Sequence, residues 1–378
     1  MNAIPTRRHL QTPVEADLAE KMVLLSGPRQ VGKTTLALAL LGTASARHPA
    51  YLSWDDVQAR PRIVRGEMPG DAPRIVLDEI HKYARWRNLV KGLWDTRPPG
   101  RSFIVTGSAR LEVYRRGGDS LQGRYHSYRL HPLSLREAGG GRAALDGLLR
   151  FGGFPEPFFR ASERHWRRWQ RERLDRVVRE DLRDLERVRE ISLVEMLADA
   201  LPARVGAPLS IRNLREDLEI AHDTAARWLD ILERLFVCFR IAPFGQPRIR
   251  AVKKEQKLYL WDWSAVNDPG ARFENLVASH LFKYCHFLED TEGWRMELRF
   301  LRDTDGREVD FVVLRDRKPM MAIEAKSDDR EPSPAIRYFR QRTSIPRWYQ
   351  VHGGTKDVLV DGVRLLPFET LCDELDLP

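Results

Sequence analysis

Short, unbroken apolar runs alternate with amphipathic stretches through the first third of the chain. Met22-Val23-Leu24-Leu25 reads as a buried strand, and Thr35-Leu36-Ala37-Leu38-Ala39-Leu40-Leu41 as the opening of a helix. Tyr51-Leu52-Ser53-Trp54, Arg74-Ile75-Val76-Leu77-Asp78 and Ser102-Phe103-Ile104-Val105-Thr106 read as further strands. Runs apolar at every position suit strands buried on both faces, as in a parallel sheet. Strands alternating with helices predict a three-layer α/β domain that binds ligand at the carboxyl ends of its strands.

The pattern then changes. From Arg160 to Glu190, Trp166, Trp169, Leu174, Val177, Val178, Leu182 and Leu185 recur at three- and four-residue spacing among mixed Arg, Glu and Asp. That predicts an amphipathic helix or helix pair with a charged outer face. Leu209–Leu218 reads as a short helix, Ala221-His222-Asp223 as a turn and cap, and Thr224–Phe236 as a second helix with Ala225, Trp228, Leu229, Leu232 and Leu235 on one face. This is helix-turn-helix spacing. Two β-rich runs follow, Val237–Ala242 and Leu258–Trp261, and the basic segment Pro243–Lys257 lies between them. The expectation is a winged helix with a long wing. Its wing cations Arg248, Arg250, Lys253, Lys254 and Lys257, with Arg227 and Arg234 on the second helix, would meet DNA phosphates. The alternative is a winged helix that only connects domains.

Composition bounds these readings. A chain of 378 residues with 42% hydrophobic content supports two or three domains. No run approaches the ~18 apolar residues of a membrane span, and the N-terminus has no apolar signal-peptide core. Cys238, Cys285 and Cys372 form neither a CxxC nor a disulfide framework, so the expectation is buried thiols and a cytoplasmic protein. The net charge of +9 favours an acidic partner such as nucleic acid, or reflects an arginine-biased composition. Acids are interleaved throughout.

The chemistry concentrates first at Gly27-Pro28-Arg29-Gln30-Val31-Gly32-Lys33-Thr34, which fits G-x-x-x-x-G-K-[ST] between a strand and a helix. A polyphosphate needs backbone amides pointed inward, no side chains in the way and the positive end of a helix dipole. Lys33 would reach the β/γ-phosphates of ATP and the Thr34 hydroxyl its Mg²⁺, with Thr35 completing the cradle. Asp78 would join Thr34 in the Mg²⁺ shell. Glu79 would orient or deprotonate the attacking water, or the two acids cap the next helix. Thr106 or Ser108 would sense the γ-phosphate.

Four segments, GPRQVGKTT (27–35), VLDEIHKYARWRNLVKGLWD (76–95), VTGSARLEVYRRGGDSLQGRYHSYRLHPLSLREA (105–138) and FGGFPEP (151–157), together resemble a large group of bacterial and archaeal AAA-type ATPases. The resemblance runs over nearly the whole chain. Members carry a C-terminal domain, long labelled as of unknown function, with a restriction-endonuclease-like (PD-D/E-x-K) core. The resemblance implies ATP binding and hydrolysis. It makes Arg124, in Ser120-Leu121-Gln122-Gly123-Arg124, a contact for the γ-phosphate within one subunit or across a homo-oligomer interface; a structural salt bridge is the alternative. His81 stands where the group more often has glutamine and reads as a helix residue.

The second concentration is C-terminal. Glu308–Leu314 and Met320–Lys326 read as strands joined by a turn at Arg315–Pro319. A hairpin symmetric about Arg317 sets Asp310 opposite Glu324 and Glu308 opposite Lys326, with Asp310, Glu324 and Lys326 on one side. Opposed carboxylates repel unless a cation sits between them. Mg²⁺ held by Asp310 and Glu324, with Lys326 positioning or deprotonating a water, is the D…E-x-K nuclease arrangement. The resemblance adds Glu274, on a helix Phe273–Tyr284, as a third acid. A binding relic and a structural ion pair are the alternatives.

The domains expected are an ATPase core at 1–150, a helical connector or lid at 151–190, a winged helix at 191–268 and a nuclease-like α/β domain at 269–378. The function expected is an ATP-hydrolysing enzyme acting on DNA. The alternatives are a nucleotide-dependent switch whose later domains only bind partners, and a DNA-bridging protein without chemistry.

Overall fold

The computed structural model describes residues 7–107, 121–181, 191–245, 255–326 and 331–378. The chain divides into two units, the first ending at His131 and the second beginning at Pro132.

In the first unit, helix α1 (Gln11–Asp17) precedes β1 (Met22–Ser26), α2 (Lys33–Leu40), β2 (Tyr51–Ser53), α3 (Ala59–Arg65), β3 (Arg74–Asp78), α4 (Trp86–Asp95), β4 (Ser102–Thr106) and β5 (Tyr125–Arg129). The five strands form one parallel sheet in the order β2-β3-β4-β1-β5. Every residue of β1 and β4 is buried, as their unbroken apolar runs require. Met22, Leu24, Ile75, Leu77, Phe103 and Val105 pack one face against Ile63 of α3 and Trp86, Val90 and Trp94 of α4. Strand β5 has no apolar run. Its sequence, Tyr125-His126-Ser127-Tyr128-Arg129, is that of an edge strand with one neighbour, β1.

The second unit opens with the helices Gly141–Phe151, Pro155–Arg160 and Glu163–Arg176. A π-turn, Val177–Asp181, ends the last of these. Ile191–Ala200, Ile211–Asp217 and His222–Arg234 follow. Ser210 caps Ile211–Asp217 by accepting from the Asn213 amide. The long helix Pro269–Glu292 starts with Asp268 accepting from the Ala271 amide and with Pro269 in its first turn, and it stops at Gly293 in the left-handed conformation.

Strands β6 (Cys238–Pro243), β7 (Lys257–Leu260), β8 (Met296–Arg302), β9 (Glu308–Arg315), β10 (Lys318–Ala325), β11 (Trp348–His352), β12 (Val358–Val360) and β13 (Val363–Pro367) make a mixed sheet. Its order is β12-β13-β11-β10-β9-β8-β6-β7. The β6–β7 pair therefore belongs to the C-terminal sheet: β6 runs parallel to β8 through Ala242–Arg299 and Pro243–Phe300. Val309, Val312, Ala322, Phe339, Trp348 and Leu365 are among the core residues of this unit.

The β9–β10 hairpin turns on two residues, Asp316 and Arg317, both at positive φ. A bulge between Pro319 and Met321 then shifts the register, so that Ile323 pairs with Phe311. Carried one residue on, that register sets Glu324 opposite Asp310. Among the described residues, no helix is long and apolar enough to cross a membrane.

Candidate functional site

The strand–turn–helix at residues 22–40 forms the first candidate site. Gly27 sits at φ +148°, and a Cβ there would lie 2.4 Å from the Leu130 carbonyl oxygen. Gly32, at φ 102°, caps α2 in the left-handed conformation. Both positions favour glycine on conformational grounds, and Gly27 also for space. The turn delivers the chain into α2 with its first-turn amides lacking partners inside the helix, the usual seat for an anion. Thr34 and Thr35 are exposed at this end. Lys33 is buried; its Nζ donates to the carbonyl oxygens of Gly27 (2.9 Å) and Pro28 (2.8 Å). Arg8, which the sequence did not single out, is also buried and donates to the Val31 carbonyl at 2.7 Å and to that of His131. It ties the back of the turn to the segment after β5.

Asp78, buried at the carboxyl end of β3, collects three hydroxyls. Thr34 Oγ1 donates to Oδ2 at 3.1 Å, the Tyr51 hydroxyl donates to the same oxygen, and Thr106 donates to Oδ1. Burial and the nearby Asp78 charge hold the Tyr51 phenol well above its ordinary range. Of the two candidates for sensing a γ-phosphate, Thr106 therefore lies beside Asp78, and Ser108 is outside the described residues. Glu79 follows at φ 55°, a left-handed conformation unusual for a non-glycine residue. Its carboxylate lies 3.5 Å from Lys82 Nζ and 3.8 Å from His81 Nε2. Burial raises the Glu79 pKa, and the Lys33 and Lys82 charges work against that rise. Arg124 forms a two-point ion pair with Asp95 at the end of α4, Nε to Oδ1 at 2.8 Å and Nη2 to Oδ2 at 3.2 Å. The guanidinium holds the Asp95 carboxyl below its ordinary range.

A nucleotide with Mg²⁺ fits these residues. Gly27 leaves the turn without a side chain, a lysine rests on neutral carbonyls, and a hydroxyl and a carboxylate already share a hydrogen bond where the metal shell would form.

The second candidate site lies in the C-terminal sheet. Asp310 Oδ2 accepts from the Ala325 amide at 2.9 Å, and the Asp310 amide donates to Glu324 Oε2 at 3.3 Å. Lys326 Nζ is 2.7 Å from Glu324 Oε1. Glu274, on the long helix, accepts from the Tyr259 hydroxyl at 2.7 Å. The three acids expected to hold Mg²⁺ are thus drawn into one cluster, but so is a cation that the sequence reading assigned to the wing. Lys257 is completely buried, with Nζ 3.1 Å from Glu274 Oε1, 3.1 Å from Asp310 Oδ1 and 2.5 Å from Glu308 Oε1.

This corrects the placement of Lys257. It opens β7, and by the two-residue alternation of a strand it points to the same side as Tyr259, toward Glu274. Glu308, expected opposite Lys326, pairs with Lys257 and with Arg302 at 2.7 Å. Burial opposes the Lys257 charge, but Asp310, Glu274 and Glu308 together raise its pKa beyond the ordinary lysine range. Burial also lifts Glu274 to about 7 and Glu324 to about 8, with Asp310 adding to both. Among the described residues, no group of three or more His, Cys, Asp or Glu side chains is arranged to hold a metal ion. With an ammonium inside the cluster, Glu274, Asp310 and Glu324 do not fit a resident divalent ion. The other wing cations, Arg248, Arg250, Lys253 and Lys254, lie outside the described residues.

Comparison with known proteins covers the region of the first site. Residues 19–139 match the family model of an AAA domain. Residues 142–268 and 269–371 match two models described as domains of unknown function, DUF8612 and DUF4143. The uncharacterized protein Rv2008c of Mycobacterium tuberculosis is 27% identical over 245 residues, which is 64% of this chain and 54% of that protein. The chain therefore spans about half the length of this relative. Among solved structures, the Aeropyrum pernix ORC1 protein in complex with DNA is 14% identical with a TM-score of 0.33, over 72% of this chain and 93% of that one. AMPPCP-bound DnaA from Aquifex aeolicus is 16% identical with a TM-score of 0.31, over 59% and 86%. Residues 19–139, which include the P-loop motif, are thus similar to an AAA domain.

Proposed function

We propose that the chain is an ATP-hydrolysing AAA-type enzyme that acts on DNA. The observation that carries the ATPase half is the convergence on Asp78 of hydroxyls from three elements, Thr34 of α2, Tyr51 of β2 and Thr106 of β4. A lone capping carboxylate has no need of three donors. A carboxylate that must be held in place and aimed at a metal shell does.

Bound Mg²⁺–ATP supplies the phosphoryl group and neutralises its developing charge. The amides of the turn and of the start of α2 receive the phosphates. Lys33 exchanges the Gly27 and Pro28 carbonyls for phosphate oxygens. Thr34 and Asp78, which share a hydrogen bond, would hold the Mg²⁺. Glu79, its pKa raised by burial, takes the proton of the attacking water. Arg124 reaches a γ-phosphate, in this subunit or a neighbouring one, only when its pair with Asp95 opens.

The DNA half rests on the net charge of +9 and on the helix pair Ile211–Asp217 and His222–Arg234 leading into β6 and β7. We read this stretch as a winged helix, with Arg227 and Arg234 exposed on its second helix, and the C-terminal sheet as restriction-endonuclease-like. Lys257 standing among the carboxylates argues against metal-dependent strand cutting. That same lysine favours a second reading, a nucleotide-dependent switch whose later domains bind partners without cutting.

The test is phosphate release and strand scission measured together, with Mg²⁺ and duplex, single-stranded or branched DNA. Wild type should release phosphate faster with at least one DNA, and Lys33→Ala should release none. Turnover that survives Lys33→Ala would end the ATPase proposal. Turnover indifferent to every DNA would end the DNA half and leave the switch.

A further inference from the structure

Lys257 is fixed in place by its backbone as well as its side chain. It pairs with Ile241 of β6 on one side and bridges to Pro208 on the other, and the Leu209 amide donates to the neighbouring Gln256 carbonyl at 2.7 Å. A residue held by strand pairing on both sides cannot swing out as the tip of a wing would. Its ammonium reaches three carboxylates from two elements: Glu274 of the long helix, and Glu308 and Asp310 of β9 beside β10, where Glu324 pairs with Lys326. Both carboxylate oxygens of Glu274 lie against packed neighbours. A Cβ on Gly206 would lie 2.9 Å from Glu274 Oε2, and the Tyr259 hydroxyl already donates to Oε1.

We propose that Lys257 is this cluster's own cation, standing where a divalent ion would otherwise bridge Asp310 and Glu274, and that removing its charge turns a closed ion-pair cluster into a divalent-cation site. The reasoning is electrostatic. Opposed buried carboxylates demand a cation. The chain supplies one that cannot be exchanged with solvent, and a second cation entering the same space would meet its full repulsion at short range. The inference concerns the second unit and holds whether or not the first hydrolyses ATP.

The experiment titrates Mn²⁺ into nucleotide-free, full-length protein, followed by the loss of the free-ion paramagnetic resonance signal. Wild type should show no Mn²⁺ uptake that depends on Asp310, so wild type and Asp310→Asn should give the same curve. Lys257→Met, which keeps the side-chain length and removes the charge, should gain a site tighter than anything in wild type by on the order of a hundredfold. That gain should vanish in Lys257→Met/Asp310→Asn. Uptake by wild type that Asp310→Asn abolishes would overturn the proposal, and so would a folded Lys257→Met that binds no more tightly than wild type. If Lys257→Met fails to fold, the comparison of wild type with Asp310→Asn decides alone. Loss of ATP turnover would leave these curves unchanged, so the two readings fail separately.

Discussion

Replacing Gly27 with alanine should cripple nucleotide binding while leaving the rest of the sheet intact. The added Cβ would sit 2.4 Å from the Leu130 carbonyl oxygen, so the turn must withdraw by about 0.6 Å merely to reach 3.0 Å. Leu130 cannot yield instead without cost, because its amide donates to the Ser26 carbonyl at 2.8 Å and anchors the exit of β5 to β1. Alanine would also have to hold φ +148°, which costs about 1–3 kcal/mol. Withdrawal moves the Gly27 carbonyl that Lys33 rests on and with it the entry to α2. If the strain is relieved by loosening the turn, nucleotide binding must rebuild it. The same 1–3 kcal/mol then corresponds to roughly 5- to 150-fold in affinity. The assay is titration of a fluorescent ATP analogue against wild type and Gly27→Ala, each first checked by thermal unfolding. An alanine variant that binds within a factor of about two and melts at the wild-type temperature would refute the reasoning.

Glu79→Gln should bind ATP normally and release phosphate about 10²- to 10⁴-fold more slowly. Because burial raises the Glu79 pKa and a base must be ionised, kcat should climb with pH through a value above the ordinary carboxylate range, and an acid limb that persists in the variant would assign it elsewhere. His280 should make the second unit acid-sensitive. Its Nδ1 lies 2.8 Å from the Leu276 carbonyl and its Nε2 accepts from the Leu135 amide at 2.9 Å, which assigns the neutral ring. Burial, with Lys283 adding to it and Glu137 opposing, lowers its pKa from 6.5 to about 4. The unfolded chain therefore takes up the proton first, and stability present above pH 6.5 falls as pH drops toward 4, by on the order of 3 kcal/mol. Urea unfolding across that range should show this slope in wild type and not in His280→Asn; equal slopes would exclude His280 as the cause.

The first unit was legible because its signals are local. A P-loop is eight consecutive residues, and a doubly buried strand announces itself by an unbroken apolar run, as 22–25, 75–77 and 103–105 do. Strand β5 escaped because an edge strand with one neighbour may carry Tyr, His and Ser without penalty. Arg8 escaped because its partners are the carbonyls of Val31 and His131, distant in sequence. In the second unit the Asp310–Glu324 pairing was readable from strand parity. It holds for a different reason than symmetry about Arg317: a two-residue turn offset by a bulge gives the same register. Lys257 was misread for an instructive reason. Its neighbours Lys253 and Lys254 made it one of a basic run, while the alternation of Lys257-Leu258-Tyr259-Leu260 sets it on the side of Tyr259, facing Glu274, in a strand buried on both faces. The burial of Lys257 rests on carboxylates that only the folded sheet assembles, so composition pointed outward and geometry inward.

Two of the buried lysines, Lys33 in the first unit and Lys257 in the second, differ in what holds them. Lys33 donates to the carbonyl oxygens of Gly27 and Pro28, neutral acceptors for a charged donor, each bond worth about 1.5–3 kcal/mol net. A polyphosphate offers more than it displaces, so the ammonium can leave its resting place for an incoming anion. Lys257 donates to Glu274, Glu308 and Asp310. Withdrawing it would strand buried charges at a cost of about 3–5 kcal/mol for breaking one such pair. No incoming phosphate can draw it out, since the departing cation would leave three carboxylates facing that same phosphate. The first unit thus holds Lys33 on backbone carbonyls at the cradle proposed for nucleotide, whereas the second holds Lys257 among carboxylates, which is why the proposed ligand chemistry is assigned to Gly27–Thr34.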